Sequence, residues 1–242
     1  MKSPAPIRLN KYLSHAGICA RRTADVLIQQ GQVTVNNRQV TELGYRVGDT
    51  DVVRYRGQVV QAEAAAYILL NKPKDCITAL HDPRGRRTVI DVVRHASPYR
   101  IYPVGRLDRH TTGLLLLTND GELAHKLAHP ASQISKTYEV TLDKPLTSSD
   151  LAALSAGVML SDGICQVDTV VPVGTTGGST IRIGIHMGRY RVIRRLFEQL
   201  GYQVVKLDRV GYARLTKKGL GRGEWRCLGV DEVRQLRRLV LK

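Results

Sequence analysis

The spacing of apolar positions changes several times along this chain. In IRLNKYLSHAG, residues 7–17, Leu9, Tyr12, Leu13 and Ala16 recur at helical spacing, and Gly17 stands where the helix should stop. TADVLIQQG predicts a second short helix, with Thr23 as its N-cap and Gly31 ending it. QVTVNNRQV then alternates as two short strands around an Asn36-Asn37 turn, and GDTDVVRYRGQVV predicts another hairpin. Residues 7–60 thus form one small unit of two helices and a small sheet. QAEAAA, residues 61–66, reads as a linker, and 67–242 as a second domain.

In that second part the pattern alternates between strand and helix. YILLNKP is a short buried strand ended by a proline turn, and GLLLLT is another, followed by an Asn119-Asp120-Gly121 turn and a helix to about His129. KTYEVTL sets Tyr138, Val140 and Leu142 on one face of a strand. SSDLAALSAG is a capped helix, and CQVDTVVPV and TIRIGIH are strands. GRYRVIRRLFEQLG predicts a helix burying Val192, Ile193, Leu196, Phe197 and Leu200, and VDEVRQLRRLV is the terminal helix. Polar alternation and hairpin-like turns argue for an α+β domain with a mixed, mainly antiparallel sheet flanked by helices and loops.

Composition narrows the function. Lys and Arg number 37 against 21 Asp and Glu, a net charge of +16. Self-repulsion on that scale calls for a polyanionic partner, nucleic acid or anionic membrane. The longest apolar run, Leu114 to Leu117, is far too short to span a bilayer, and MKSPAPIRLNKYL lacks the apolar core of a signal peptide. Nucleic acid and a cytoplasmic location are therefore expected. Cys19, Cys76, Cys165 and Cys227 lie far apart without metal spacing and read as reduced thiols. His125 and His129 are four apart on a helix, but a third ligand and a supporting Glu are missing, so no metal is expected.

Four stretches carry candidate chemistry. Arg191, Arg194 and Arg195 form a basic helix face beside Gly188-Arg189, suited to phosphate. HDPRGRRTV is a basic loop of the kind that carries function, with Arg84, Arg86 and Arg87. Asp108 precedes a turn-like R-H-T-T-G and a buried strand, among Arg106, Arg109 and Lys136. Cationic surroundings favour its ionised form, and an ionised acid repels phosphate. It makes better sense as a nucleophile or base acting on a sugar or base than as part of an RNA-binding surface. With no second acid nearby, a glycosidase dyad is disfavoured. Tyr138 packs in a strand or stacks on an unstacked base.

VGRLDRHTTGLLLLTNDGELAHKLAHP with KTYEVTL, the LNKP turn, DPRGRRTV and GRYRVIRRLFEQLG occur in the order found in the RsuA/RluB/RluE/RluF family of bacterial pseudouridine synthases, which this chain resembles. Residues 7–40 resemble an S4-type RNA-binding domain. The resemblance covers about residues 7–240 and implies isomerisation of uridine in folded ribosomal RNA without cofactor or metal. The family's catalytic aspartate falls on Asp108, its uracil-stacking tyrosine on Tyr138, and the basic partner of the acid on Arg194. Arg106 is then a phosphate or base contact, and Arg8, Lys11, Arg21 and Arg22 bind RNA, as do Arg84, Arg86, Arg87, Arg191 and Arg195. DPRGRRTV, LLLLTNDGELA and LAHP look more like the RluB branch, which implies a 23S uridine. A 16S site is the alternative, as is a non-catalytic RNA-binding assembly protein. A monomer is expected. Three positions depart from the family: Asp75 where Gly is frequent, Tyr190 for Asn and Val192 for Gln.

Overall fold

The computed structural model describes residues 6–174 and 178–241. It divides into two compact units. The smaller comprises the chain up to Ala66 with 98–100 and 119–121; the larger takes the rest.

In the smaller unit, α1 (Leu9–His15) and α2 (Arg21–Gln29) pack over a four-stranded sheet of Val33–Val35, Arg38–Gln39, Val53–Tyr55 and Gln58–Val59. Leu9, Leu13, Ala24, Ile28, Val33 and Val53 are buried between them. Both hairpins turn through two left-handed residues, Asn36-Asn37 and Arg56-Gly57, as tight two-residue hairpins require. Thr23 is not the N-cap: α2 begins two residues earlier, after Ala20, and no side chain caps it. Arg21 and Arg22 therefore occupy the first turn, where the helix dipole disfavours cations and backbone N–H groups are open to an anion. Residues 61–66 form neither helix nor strand.

The larger unit is built on a sheet of nine strands among the described residues. Seven of them form its main path: β1 (Tyr67–Lys72), β2 (Thr112–Thr118), β3 (Lys136–Leu142), β4 (Thr169–Pro172), β5 (Thr180–Ile185), β6 (Val204–Tyr212) and β7 (Trp225–Cys227). Their order is β4-β5-β3-β6-β2-β1-β7. All neighbours run antiparallel except β6 and β2, which are parallel through Asp208↔Thr112 and Arg209↔Gly113. The sheet is thus mixed and mainly antiparallel, as the pattern predicts. Four helices of eight or more residues belong to this unit: α3 (Gly121–Ala128), α4 (Ser148–Ala156), α5 (Val192–Gln199) and α6 (Val230–Leu239). Leu114, Leu116, Leu123, Leu127 and Leu236 share one core cluster, so β2, α3 and α6 are held by the same apolar contacts.

The basic helix is shorter than its apolar spacing suggests. It starts at Val192, because Arg191 takes a left-handed conformation with φ +46°. Val192, Ile193, Leu196 and Phe197 are buried as expected, while Leu200 caps the end. Gly113 is required where it stands. Its φ is +103°, and a Cβ there would overlap the backbone of Arg209 on β6. No helix among the described residues is long and apolar enough to cross a membrane.

Candidate active site

The loop before β2 carries Asp108, and its backbone is held on both sides. Val104 and Leu107 bury their side chains. Thr78 Oγ1 donates to the Leu107 carbonyl at 2.8 Å and accepts the Leu107 N–H at 3.2 Å. The Thr111 N–H donates to the Asp108 carbonyl at 3.1 Å, closing a turn.

Beneath this turn lies Lys72, the last residue of β1 and fully buried. Its ammonium donates to the carbonyls of Thr111 at 2.8 Å, Pro73 and Asp108 at 3.1 Å, and Arg109 at 3.2 Å. Burial pulls its pKa down from 10.5 to about 8, opposed by Cys76 and Asp108. Nothing in the LNKP motif itself announces this role, since three of the four carbonyls come from residues 36 to 39 positions away.

Asp108 opens into a cavity of about 590 Å³. Arg106, Tyr138, Arg191 and Arg194 line the same space, so four of the residues expected to act with or near Asp108 meet there. Tyr138, on β3, is 8% exposed, and its Cα partner on β6 is Arg209. Leu207 and Arg209 from β6 and Lys136 from β3 complete the wall nearest the tyrosine. Arg209 is buried, donates from Nε to the Leu114 carbonyl at 2.6 Å and covers the Tyr212 ring at 4.9 Å. Burial and the Arg209 charge pull the Lys136 pKa down to about 8, and burial pushes the Tyr212 phenol up to about 12.

The cation within ion-pair reach of Asp108 is Arg191, with Nη1 3.9 Å from Oδ2, and not Arg194 as the motif suggests. Arg194 lines the cavity but donates from Nη1 to the Val204 carbonyl at 2.9 Å. Burial and the neighbouring Arg191 lower its pKa, while Asp108 and Glu198 act against them. Arg191 stands just ahead of the helix in a left-handed conformation, while Arg194 lies within its first turn.

Two further arginines expected to contact RNA also hold ion pairs within the chain. Arg195 pairs with Asp162 at 2.9 Å, and Arg86 donates through Nε and Nη2 to both carboxylate oxygens of Asp82 at 3.0 and 2.7 Å. Arg84 and Arg87 of the same loop are exposed, as are Arg8, Arg21 and Arg22 in the smaller unit; Lys11 is half-buried.

The departure at Asp75 is accommodated. It holds φ +58°, and its carboxylate lies 3.2 Å from both Arg109 Nε and His110 Nδ1, so the side chain gains partners that glycine would lack. Val192 is buried at the cavity wall. The rings of His125 and His129 lie tilted at 42° with centroids 5.6 Å apart, and His129 Nδ1 accepts the Ala131 N–H at 3.2 Å.

A carboxylate, a buried tyrosine and flanking guanidiniums around one cavity with room for a nucleotide, on a chain of net charge +16, define an enzyme that works on a nucleic acid. The chain belongs to the RNA pseudouridylate synthase family, whose model matches residues 66–199, and an S4 domain matches residues 7–53. It falls in the RsuA/RluB/RluF group of that family and is an enzyme isomerising uridine to pseudouridine. It is 42% identical over 240 residues to the ribosomal large subunit pseudouridine synthase B of Bacillus subtilis (strain 168), covering 96% of each chain. It is 37% identical over 246 residues to the dual-specificity RNA pseudouridine synthase RluF of Escherichia coli (strain K12), covering 99% of this chain and 81% of RluF. A crystal structure of a pseudouridylate synthase superposes with a TM-score of 0.66 at 27% identity, covering 95% of this chain and 99% of that one.

Proposed function

We propose that this enzyme isomerises one uridine of large-subunit (23S) ribosomal RNA, with Asp108 as the catalytic residue. The observation that carries the reading is the meeting of Asp108, Tyr138 and the Arg191–Arg194 pair in a single cavity. The likeness to a relative named for the large ribosomal subunit supports the choice of RNA.

In the reaction the N1–C1′ bond of the uridine breaks, the uracil turns, and C5 bonds to C1′. The proton on C5 leaves and N1 gains one, so no outside reactant enters the balance. A uracil inside a stack is out of reach, so the nucleotide must be extruded into the cavity. Tyr138 then supplies a face for the flipped ring. Arg191 holds the Asp108 carboxylate, and Arg194 adds positive charge from the adjoining wall. Lys72 fixes the backbone on which Asp108 is mounted.

The domain residues 7–60 anchor the RNA through Arg8, Lys11, Arg21 and Arg22, and residues 67–242 carry the chemistry. Arg106 contacts the phosphate backbone at the cavity mouth, with Arg84 and Arg87 on the loop before it in the chain. The enzyme works as a monomer in the cytoplasm.

The test is made on ribosomal RNA from cells with and without the gene. Carbodiimide labelling and primer extension map pseudouridine in both large rRNAs. One 23S site should vanish on deletion and return with the wild-type gene but not with Asp108→Asn, which should still bind RNA. Loss of a 16S site instead would reverse the choice of RNA. Restoration by Asp108→Asn would remove the aspartate from the chemistry.

A further inference from the structure

Among the exposed large hydrophobic side chains of the described residues, Tyr190 is the one aromatic, and it is 73% exposed. An aromatic ring left in water gains none of the stabilisation that burial would give it. Its two neighbours are both anchored. Arg189 donates from Nη1 to the Gly163 carbonyl at 3.0 Å and lies 3.5 Å from Asp162. Arg191 is held in its left-handed conformation with Nη1 3.9 Å from the Asp108 carboxylate. Gly188, Arg189 and Arg191 all line the catalytic cavity. Residue 190 therefore stands on a fixed mount at the mouth of that cavity, with cationic groups on both sides.

The proposed substrate presents a matching need. Drawing one nucleotide out of a stack strips its neighbours of a stacking partner, at a cost of a few kcal/mol. A ring at the cavity mouth can take the vacated place, because every base has a π-face to offer. Resting on the reading of the substrate as uridine in structured RNA, we propose that Tyr190 stacks on the nucleobase adjoining the extruded uridine. It is a substrate-positioning residue and takes no part in bond making. The phosphate beside that nucleobase meets Arg106, whose role is to set register.

The experiment uses the full chain and a synthetic RNA hairpin around the mapped uridine, with 2-aminopurine at each flanking position in turn. Wild type, Tyr190→Ala and Tyr190→Phe are compared for KM and kcat, for 2-aminopurine quenching and for thermal unfolding. The expected result is a KM raised about tenfold in Tyr190→Ala, with kcat and unfolding temperature close to wild type. Tyr190→Phe should recover wild-type KM, and quenching at one flank should appear in wild type and Tyr190→Phe but not in Tyr190→Ala. A Tyr190→Ala enzyme with unchanged KM and quenching overturns the proposal. So does a Tyr190→Phe enzyme as impaired as Tyr190→Ala, which would assign the contact to the hydroxyl. Wild type that makes no pseudouridine in an RNA it binds would instead remove the substrate reading, and this proposal with it.

Discussion

Replacing Lys72 by methionine should separate stability from activity. Methionine keeps nearly the same volume but cannot donate, so the carbonyls of Pro73, Asp108, Arg109 and Thr111 all lose a partner. At roughly 1 kcal/mol or slightly more for each lost bond, the variant gives up about 4–5 kcal/mol. It is also relieved of holding a charge in a buried place. The descent of the lysine pKa from 10.5 to about 8 corresponds to about 3 kcal/mol of such cost. The two nearly cancel, so the net destabilisation should be about 1–2 kcal/mol. Activity has no such compensation. With its carbonyls free, the 108–111 turn can shift, and a displacement of about 1 Å costs about 100-fold in rate.

The assays are urea unfolding and initial rates of pseudouridine formation on an rRNA fragment. A rate within threefold of wild type would refute the role given to Lys72. A loss of stability above about 4 kcal/mol would equally show the cancellation to be wrong. The pH dependence gives a second check, with its sign fixed. Native Lys72 releases its proton near pH 8, and the unfolded lysine near its ordinary 10.5. Between these values the unfolded chain binds more protons, so this group makes stability rise with pH. Activity should fall in the same window, because a neutral amine brings two N–H groups to four carbonyls instead of three. Lys136, also held near 8, deprotonates alongside it, so Lys72→Met should keep only a shallower decline.

Asp208 should make the fold acid-sensitive. Lys217, Arg222 and Thr112 hold its carboxyl at about 2 in spite of burial, against an ordinary 3.8. The stability this gives, about 2 kcal/mol by the size of the shift, is complete above pH 3.8 and disappears as pH falls through 2. Urea midpoints of wild type and Asp208→Asn should therefore converge on acidification; a constant gap would contradict the assignment. Gly113→Ala should destabilise by about 3 kcal/mol or more, since β6 and β2 must separate to admit the methyl group at a positive φ. An unfolding midpoint equal to wild type would show that the backbone there is softer than its close approach implies.

Much of the fold is legible in the chain because its elements obey local rules. The leucine run of β2, the alternation around Tyr138 and the Asn36-Asn37 turn each follow from a few adjacent residues. β6 does not. VVKLDRVGY mixes Lys206, Asp208 and Arg209 into a strand near the middle of the sheet. It is tolerated there because Arg222 and Lys217 pair with Asp208, and the Leu114 carbonyl accepts from Arg209. Arg222 and Leu114 lie far from β6 in the sequence, so a window along it sees only charge. The membership of the candidate site was legible through its motifs, while its pairing was not. Helical spacing puts Arg191 beside Arg194 on one face; in the structure Arg191 precedes the helix in a left-handed conformation, which no spacing rule foretells, and reaches within 3.9 Å of Asp108.

The position of β6 has a consequence for the time at which the enzyme becomes competent. Asp108 enters through β2, which is paired with β1; Tyr138 sits on β3, which is paired with β5. β6 is the strand that joins these two halves, and it is made long after both. A nascent chain that has not yet delivered residues 204–212 holds the acid and the tyrosine on separate pieces of sheet, each with an open edge. A chain that ends between residues 143 and 203 carries both residues but lacks the strand that unites their two halves of the sheet.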